Sequence, residues 1–435
     1  MESTLILFTA APTGLGHIRV MDALKDGLYP GAKYETVGLG NVNAGKIHSL
    51  GSRIPFLTKL TEFYQTNPLA ERFVSKFYLD YLKRQKGETL SYLSDVAKKH
   101  PDSKFWVVIS THYALAFSIL SVKKEVKEKF GVDIMLCVVV TDDSPQRVWA
   151  VKGADIIFAP STKTRDGLVK LGVDPAVVKV ISFPVSPRLA QHLSNDELQG
   201  VIEQLDPEGS YPMQIEIPVS GAAVQLPYLE TIIKTLAPEA FQFTVIGLSS
   251  SYTVGFFERI TKLPHVQTSI GTTSKQTVEL YESLFYQPIR PAVEITKPSE
   301  QTFKAILKPR ERGGVILLLT APVGRQEYDN LNFLQRHRLM PNKEEQKILE
   351  EVTNGRKLTD EEGAKLHYMA SHWRAIQLPN DPLKAASFIK GLRKQRILAS
   401  MLSYVSETSD ELTSDGVKMI WDEINRRIAS FNKNI

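Results

Sequence analysis

The sequence predicts an α/β protein built as two doubly wound halves, each a parallel sheet covered by helices. Three observations predict it. Short runs that are apolar on both faces recur along the chain, helix-length segments separate them, and the series halts at one polar, turn-rich stretch before starting again. A strand apolar on both faces belongs in a sheet covered on both sides, which is the parallel α/β case. At 435 residues, with 43% hydrophobic and 23% charged residues, the chain is long enough for two such cores and ordinary in balance for a globular protein.

In the first half the runs fall at 5–10, 34–39, 105–110, 134–140, 155–159 and 177–183; in the second they fall at 213–219, 241–247, 292–296 and 315–320. Between the two series lie Ser194-Asn-Asp-Glu-Leu198 and Asp206-Pro-Glu-Gly-Ser-Tyr-Pro212, which read as the boundary. The expected organisation is a Rossmann-like domain over 1–195 and a second over 205–345, facing each other across a cleft. Beyond Pro341 the alternation gives way to helical spacing, so 346–435 reads as a helical C-terminal extension. There Thr359-Asp-Glu-Glu362 has the form of a capping box, and Val417, Ile420, Trp421, Ile424, Ile428 and Phe431 share one helical face.

Composition narrows the function classes. A net charge of +5 is mild for nucleic-acid binding and suits contact with an anionic membrane surface. No nucleic-acid partner is expected. Cys137, inside the apolar run Ile134-Met-Leu-Cys-Val-Val-Val140, reads as a buried structural thiol, and a single cysteine makes no internal disulfide. No window reaches the roughly 18 apolar residues of a membrane span, and the first strand-like run lacks the basic flank of a secretory signal. A cytoplasmic protein is expected, peripheral on the inner face of the membrane if it binds lipid.

Ligands of open α/β sheets bind beyond the carboxyl ends of the strands, so the loops after the runs carry the function. The first run leads into Thr9-Ala-Ala-Pro-Thr-Gly-Leu-Gly-His17, with a helix expected from Ile18. Gly14 and Gly16 allow a close backbone approach, and a helix N-terminus behind them offers N–H donors. A dinucleotide fingerprint needs a third glycine where Arg19 stands, so that reading is broken. The alternative is a tight turn without a ligand. His17 adds a group that titrates near neutral pH and can take a proton from a hydroxyl. Two further loops are Ser110-Thr-His112 and Thr141-Asp-Asp-Ser-Pro145. Adjacent Asp142 and Asp143 point apart on an extended backbone; they read as a turn or helix cap, or as one catalytic carboxylate, and not as a metal site.

These loops carry a resemblance. The sequence Val138-Val-Val-Thr-Asp142, followed by Ala154-Asp-Ile-Ile-Phe-Ala-Pro-Ser161 and Val177-Val-Lys-Val-Ile-Ser-Phe-Pro-Val-Ser-Pro187, resembles the monogalactosyldiacylglycerol synthase group of glycosyltransferase family 28. Members of that family carry a Val-Thr-Asp strand end, a Phe-Val-Pro-Ser strand and a Gly-x-Pro-Val-x-Pro turn, in that order. Thr13-Gly-Leu-Gly-His17 resembles their Gly-Gly-Gly-His loop, and Ser110-Thr-His112 their Ser-Thr-His. The same family holds the enzyme that adds N-acetylglucosamine to the lipid-linked peptidoglycan precursor. The resemblance implies the GT-B fold and an inverting hexosyltransferase of glycolipid biosynthesis. It also implies a nucleotide diphosphate sugar, UDP-linked, as co-substrate, a lipid or membrane-anchored acceptor, and no cofactor or metal. His17 and Asp142 would be the catalytic pair, and Gly14, Gly16 and His112 would stand on the acceptor side. The last helix would cross back onto the first domain.

The second half resembles the family in Ile295-Thr-Lys-Pro-Ser-Glu-Gln-Thr302 and Thr320-Ala-Pro-Val-Gly-Arg-Gln-Glu-Tyr-Asp-Asn330. By that likeness the donor would be bound by Ser220, Gly221, Lys297, Ser299, Gly324, Arg325, Gln326, Glu327 and Asn330. Lys297 or Arg325 would neutralise the departing diphosphate, and Gln326 and Glu327 would hold sugar hydroxyls. Three departures stand out. The glycine-rich loop after the first strand of this domain is reduced to Pro218-Val-Ser-Gly-Ala-Ala223, Ser299 and Gln301 replace glycines, and Ala305 stands where the family has a glutamate. They motivate an alternative, a GT-B fold that has lost catalysis and serves as a binding or scaffold protein. A nucleotide-sugar epimerase is a third reading.

Residues 53–86 hold seven basic and three acidic residues. Asn67-Pro68 has the form of a helix start, and Leu69, Phe73, Val74, Phe77, Tyr78, Tyr81 and Leu82 fall on one face. Such a helix either lies in an anionic headgroup layer or packs on the core with a charged outer face.

Overall fold

The computed structural model describes residues 4–10, 15–38, 86–219, 225–320, 322, 324–403 and 409–432. The chain divides into two compact units. One comprises Met1–Pro187 with Gly324–Gln326 and Ser409–Ile435, and the other Arg188–Val323 with Glu327–Thr408.

The strands of the first unit are β1 (Thr4–Ala10), β2 (Tyr34–Gly38), β3 (Phe105–Ser110), β4 (Asp133–Val139), β5 (Ile156–Ala159) and β6 (Val178–Val180). They form a six-stranded sheet in the order β2-β1-β3-β4-β5-β6, every pair parallel. The helices are α1 (Leu15–Asp26), α2 (Lys86–Lys99), α3 (Tyr113–Phe130) and α4 (Thr162–Lys170). Every side chain of β3 is buried, as its apolar sequence Phe-Trp-Val-Val-Ile requires of a strand covered on both faces. Burying one such aliphatic side chain contributes about 1.5–3 kcal/mol over leaving it in water. Cys137 lies in this core with no exposed surface. Register sets the site: Thr9 pairs with Ser110, and Ser110 with Val138. The carboxyl ends of β1, β3 and β4 therefore stand level at one edge of the sheet.

The second unit holds β7 (Met213–Pro218), β8 (Phe241–Leu248), β9 (Val266–Gly271), β10 (Val293–Thr296), β11 (Val315–Leu318) and β12 (Ala375–Gln377), in the order β12-β11-β10-β7-β8-β9, again all parallel. Its helices are α5 (Asn195–Leu205), α6 (Leu226–Leu236), α7 (Val254–Ile260), α8 (Ser274–Ser283), α9 (Arg325–Arg336, whose first two residues count with the first unit), α10 (Lys343–Thr353), α11 (Asp360–His372), α12 (Pro382–Lys394) and α13 (Ile397–Ser400). The two edge strands are absent from the sequence reading. β9, Val-Gln-Thr-Ser-Ile-Gly, is polar and half exposed, so it shows no apolar run; β12 is three residues long. The turn-rich stretch at 194–212 holds a helix as well. Ser194 accepts from the Glu197 N–H and Glu197 caps Ser194 in return, which starts α5, and its Val201 and Leu205 join the second core. The segment 346–435 is helical in the main, but it also contributes β12.

The capping box at Thr359–Glu362 forms as its spacing implies. The final helix, α14 (Gly416–Asn432), buries Val417, Ile420, Trp421, Ile424 and Ile428. Trp421 Nε1 donates to the Leu24 carbonyl of α1 at 2.9 Å and its ring meets Phe8 of β1 edge-on. Glycine is needed at 416: a Cβ there would sit 2.3 Å from the Ser182 carbonyl oxygen. Among the described residues no helix is long and apolar enough to cross a membrane. Residues 39–85, which contain most of the aromatic, basic segment, lie outside the described residues.

Candidate active site

In the first unit the start of α1 and the loops after β3 and β4 converge on one imidazole. α1 begins at Leu15 rather than at Ile18, so Gly16 and His17 sit in its first turn; Gly14 lies outside the described residues. His17 Nδ1 is 2.7 Å from the backbone carbonyl of Thr111. A carbonyl only accepts, so Nδ1 carries the hydrogen, and in the neutral ring Nε2 is the basic nitrogen. Thr141 Oγ1 lies 3.2 Å from the same Nδ1. The Thr111 hydroxyl donates to the His17 carbonyl at 2.9 Å. The start of α1 and the loops after β3 and β4 are thereby tied through one ring.

His112 takes the opposite tautomer. It is the N-cap of α3, with extended backbone, and its Nδ1 accepts from the Ala114 N–H at 3.3 Å. Its ring hydrogen, when neutral, is therefore on Nε2. The ring is 3% exposed, stacks on Tyr113 at 4.7 Å and meets the His17 ring edge-on at 4.8 Å. A residue read from sequence as an acceptor-side group thus also starts a helix and walls the His17 imidazole.

Asp142 and Asp143 do point apart. Asp143 is fully buried and accepts from the hydroxyls of Ser161 and Thr164, the latter at 2.9 Å, with Lys163 Nζ at 3.6 Å. Ser161 is the N-cap of α4, so this carboxylate anchors the β4 loop at a helix N-terminus, where negative charge is favoured. Asp142 turns the other way and accepts from Trp149 Nε1 at 3.3 Å. Trp149 closes a 3-10 turn, is 1% exposed, meets Tyr113 edge-on at 5.5 Å and lies 6.4 Å from the His17 ring. The sequence reading missed it. Its one signal is an isolated tryptophan seven residues past Asp142 in the polar stretch Ser144-Pro-Gln-Arg-Val-Trp149.

The candidate donor residues divide. Lys297 follows β10, and its Nζ lies 2.6 Å from Glu327 Oε1. Asn330, fully buried, donates to the Pro298 carbonyl at 3.3 Å. Glu327 and Asn330 are three residues apart on α9 and so share a face; together they clamp the loop that holds Lys297 and Ser299. Gly324, immediately before α9, has φ of 81°, the left-handed region that favours glycine. Arg325 and Gln326 fill the first turn of α9, where backbone N–H groups lack helical partners. Ser220 and Gly221 lie outside the described residues. The Gln225 side chain, at the end of that loop, donates to the Thr320 carbonyl at 2.6 Å.

A buried ionic group supports this loop set. Glu216 of β7 and Glu294 of β10 stand opposite each other in register. Lys304 pairs with Glu294, lies 3.5 Å from Glu216 Oε1 and bonds the Tyr281 hydroxyl, with all four side chains buried. It pins the 3-10 turn Glu300–Ile306, whose N-cap is Ser299. Among the described residues no group of three or more His, Cys, Asp or Glu side chains is placed to hold a metal ion.

The family described as Monogalactosyldiacylglycerol (MGDG) synthase matches residues 56–185, a stretch that includes the 110–112 and 141–144 loops. The chain is 24% identical over 391 residues to the processive diacylglycerol beta-glucosyltransferase of Bacillus licheniformis, covering 86% of this chain and 91% of that protein. It is 22% identical over 379 residues to the protein of the same description from Bacillus pumilus, with 86% and 91% covered. Among solved structures, the UDP-GlcNAc 2-epimerase from Neisseria meningitidis bound to UDP-GlcNAc has a TM-score of 0.51 at 9% identity, over 97% of this chain and 99% of that one. A putative UDP-N-acetylglucosamine 2-epimerase from Listeria monocytogenes has a TM-score of 0.50 at 9% identity, over 98% and 96%. At that identity the likeness is one of fold. With two six-stranded parallel sheets and these relatives, the chain is a GT-B glycosyltransferase. Within that class it resembles the monogalactosyldiacylglycerol synthase group of glycosyltransferase family 28.

Proposed function

We propose that the protein transfers a hexose from a UDP-linked sugar to a hydroxyl of a lipid acceptor of the diacylglycerol type, inverting the anomeric carbon. The observation that carries this reading is the tautomer of His17: with Nδ1 donating to Thr111, Nε2 is the nitrogen able to take the acceptor proton. In a single displacement the acceptor oxygen bonds to the anomeric carbon as the bond to the diphosphate oxygen breaks. The proton passes to His17 Nε2, aided by Asp142, and the nucleoside diphosphate leaves with the bonding electron pair. A β-linked product from an α-linked donor is the outcome of one such step, in keeping with the beta-glucosyltransferase relatives.

On the donor side, Lys297 or Arg325 and the first-turn N–H groups of α9 offset the charge of the leaving diphosphate. Ser220, Gly221, Ser299, Gly324, Gln326, Glu327 and Asn330 complete the donor loops, and Gly14, Gly16 and His112 the acceptor loops. Residues 53–86 would meet the anionic inner face of the membrane, where the acceptor resides. The test is His17→Ala with a UDP-sugar and diacylglycerol vesicles. Turnover should fall about a hundredfold or more while calorimetric donor affinity holds; an unchanged rate removes His17 from the mechanism.

A further inference from the structure

We infer that Trp149 is a positioning residue for the acid–base pair: its buried indole N–H fixes the Asp142 carboxylate while its ring borders the His17 imidazole. This rests on the transferase reading just given. An indole N–H only donates, and a buried one is costly without an acceptor. A neutral carbonyl would satisfy it equally. Here the acceptor is the Asp142 carboxylate, at 3.3 Å. The indole is locked in place by its own turn and by a neighbouring ring. The Trp149 backbone N–H bonds the Gln146 carbonyl at 3.0 Å, the Val151 N–H bonds the Trp149 carbonyl at 2.8 Å, and Tyr113 packs edge-on at 5.5 Å. One side chain therefore touches one member of the pair and borders the other, 6.4 Å from the His17 ring. The titratable groups that meet it are His17 on α1, Tyr113 at the start of α3 and Asp142 on its own loop, with His112 beyond them against His17.

Trp149→Phe keeps an aromatic ring and deletes the donor together with part of the buried ring. Turnover should fall about tenfold, which is about 1.4 kcal/mol in the barrier, with the donor KM within about twofold of wild type. The acid limb of the kcat profile should move to higher pH. In an Asp142→Asn background the same change should add nothing further, whereas a merely structural tryptophan would add its full loss. If Asp142→Asn alone leaves turnover intact, the transferase reading loses its carboxylate. If Asp142→Asn lowers turnover and Trp149→Phe is neutral or additive, the positioning role is overturned. A second measurement needs no turnover and uses the unaltered protein. Of the four indole N–H signals, one, absent in Trp149→Phe, should shift as a carboxylate titrates and stop shifting in Asp142→Asn. A signal flat across that range overturns the role whatever the reaction proves to be.

Discussion

His17 and Thr111 bond each other twice: the imidazole Nδ1–H donates to the Thr111 carbonyl at 2.7 Å, and the Thr111 hydroxyl donates to the His17 carbonyl at 2.9 Å. The first bond sets the tautomer and the second sets the backbone that carries the ring. They act separately, so they separate by mutation. Thr111→Val removes the hydroxyl and keeps the carbonyl. Stability should drop by about 0.5–1.5 kcal/mol in urea unfolding, and turnover should fall far less than in His17→Ala. A loss equal to that of His17→Ala would mean the hydroxyl, not the carbonyl, orients the ring.

In the donor site proposed above, the two members of the Lys297–Glu327 pair make opposite demands on the nucleotide. Glu327 is 2% exposed and offsets the charge of the lysine it holds at 2.6 Å. Lys297→Met should weaken UDP binding by about tenfold, the loss of one charge-assisted contact. Glu327→Gln should leave free UDP bound as tightly as before or more so, and weaken the UDP-sugar if the carboxylate holds a sugar hydroxyl. Calorimetric titration of both ligands reads each arm. If no variant and no wild-type sample binds UDP at millimolar concentration, the scaffold alternative stands in place of the enzyme.

Lys304 sits between two carboxylates with almost no water access. Lys304→Met should destabilise the protein by about 3–5 kcal/mol, because it leaves Glu216 and Glu294 buried and opposed without their cation. Replacing all three, with Glu216→Gln and Glu294→Gln added, should recover most of that loss. Urea unfolding of the single and triple variants checks both.

Glu230 supplies a pH dependence with a definite sign. Hydrogen bonds from Arg259 hold its carboxyl down from an ordinary 4.5 to about 2, with Lys234 adding to the shift. A depressed carboxyl stabilises the fold above its unfolded pKa and loses that contribution as pH falls through the folded one. The stability gap between wild type and Glu230→Gln should therefore be constant above about pH 5 and close between pH 4.5 and 2. A gap that does not close on acidification would disprove the assignment.

Most of this architecture is written in the apolar runs, and what is not has a physical cause. β3 is legible because both its faces are buried; β9 is not, because an edge strand with half-exposed side chains needs no apolar run. The loops of the candidate site are legible where glycine or histidine stands at a strand end, as at Gly16, His17 and His112. Trp149 is invisible because its partner is seven residues away across a 3-10 turn, a relation that neither strand nor helix periodicity encodes. The roles of Glu327 and Asn330 as loop clamps likewise depend on a helix face meeting a loop some thirty residues earlier.

The docking of α14 onto α1 and β1 has a consequence for synthesis. A ribosome that has released residues 1–187 has released a sheet whose Trp421 and Ile424 covering has not yet been made. The intervening unit, built largely from contiguous residues, is free to mature first. The first unit is then completed only once α14 has followed the second unit out.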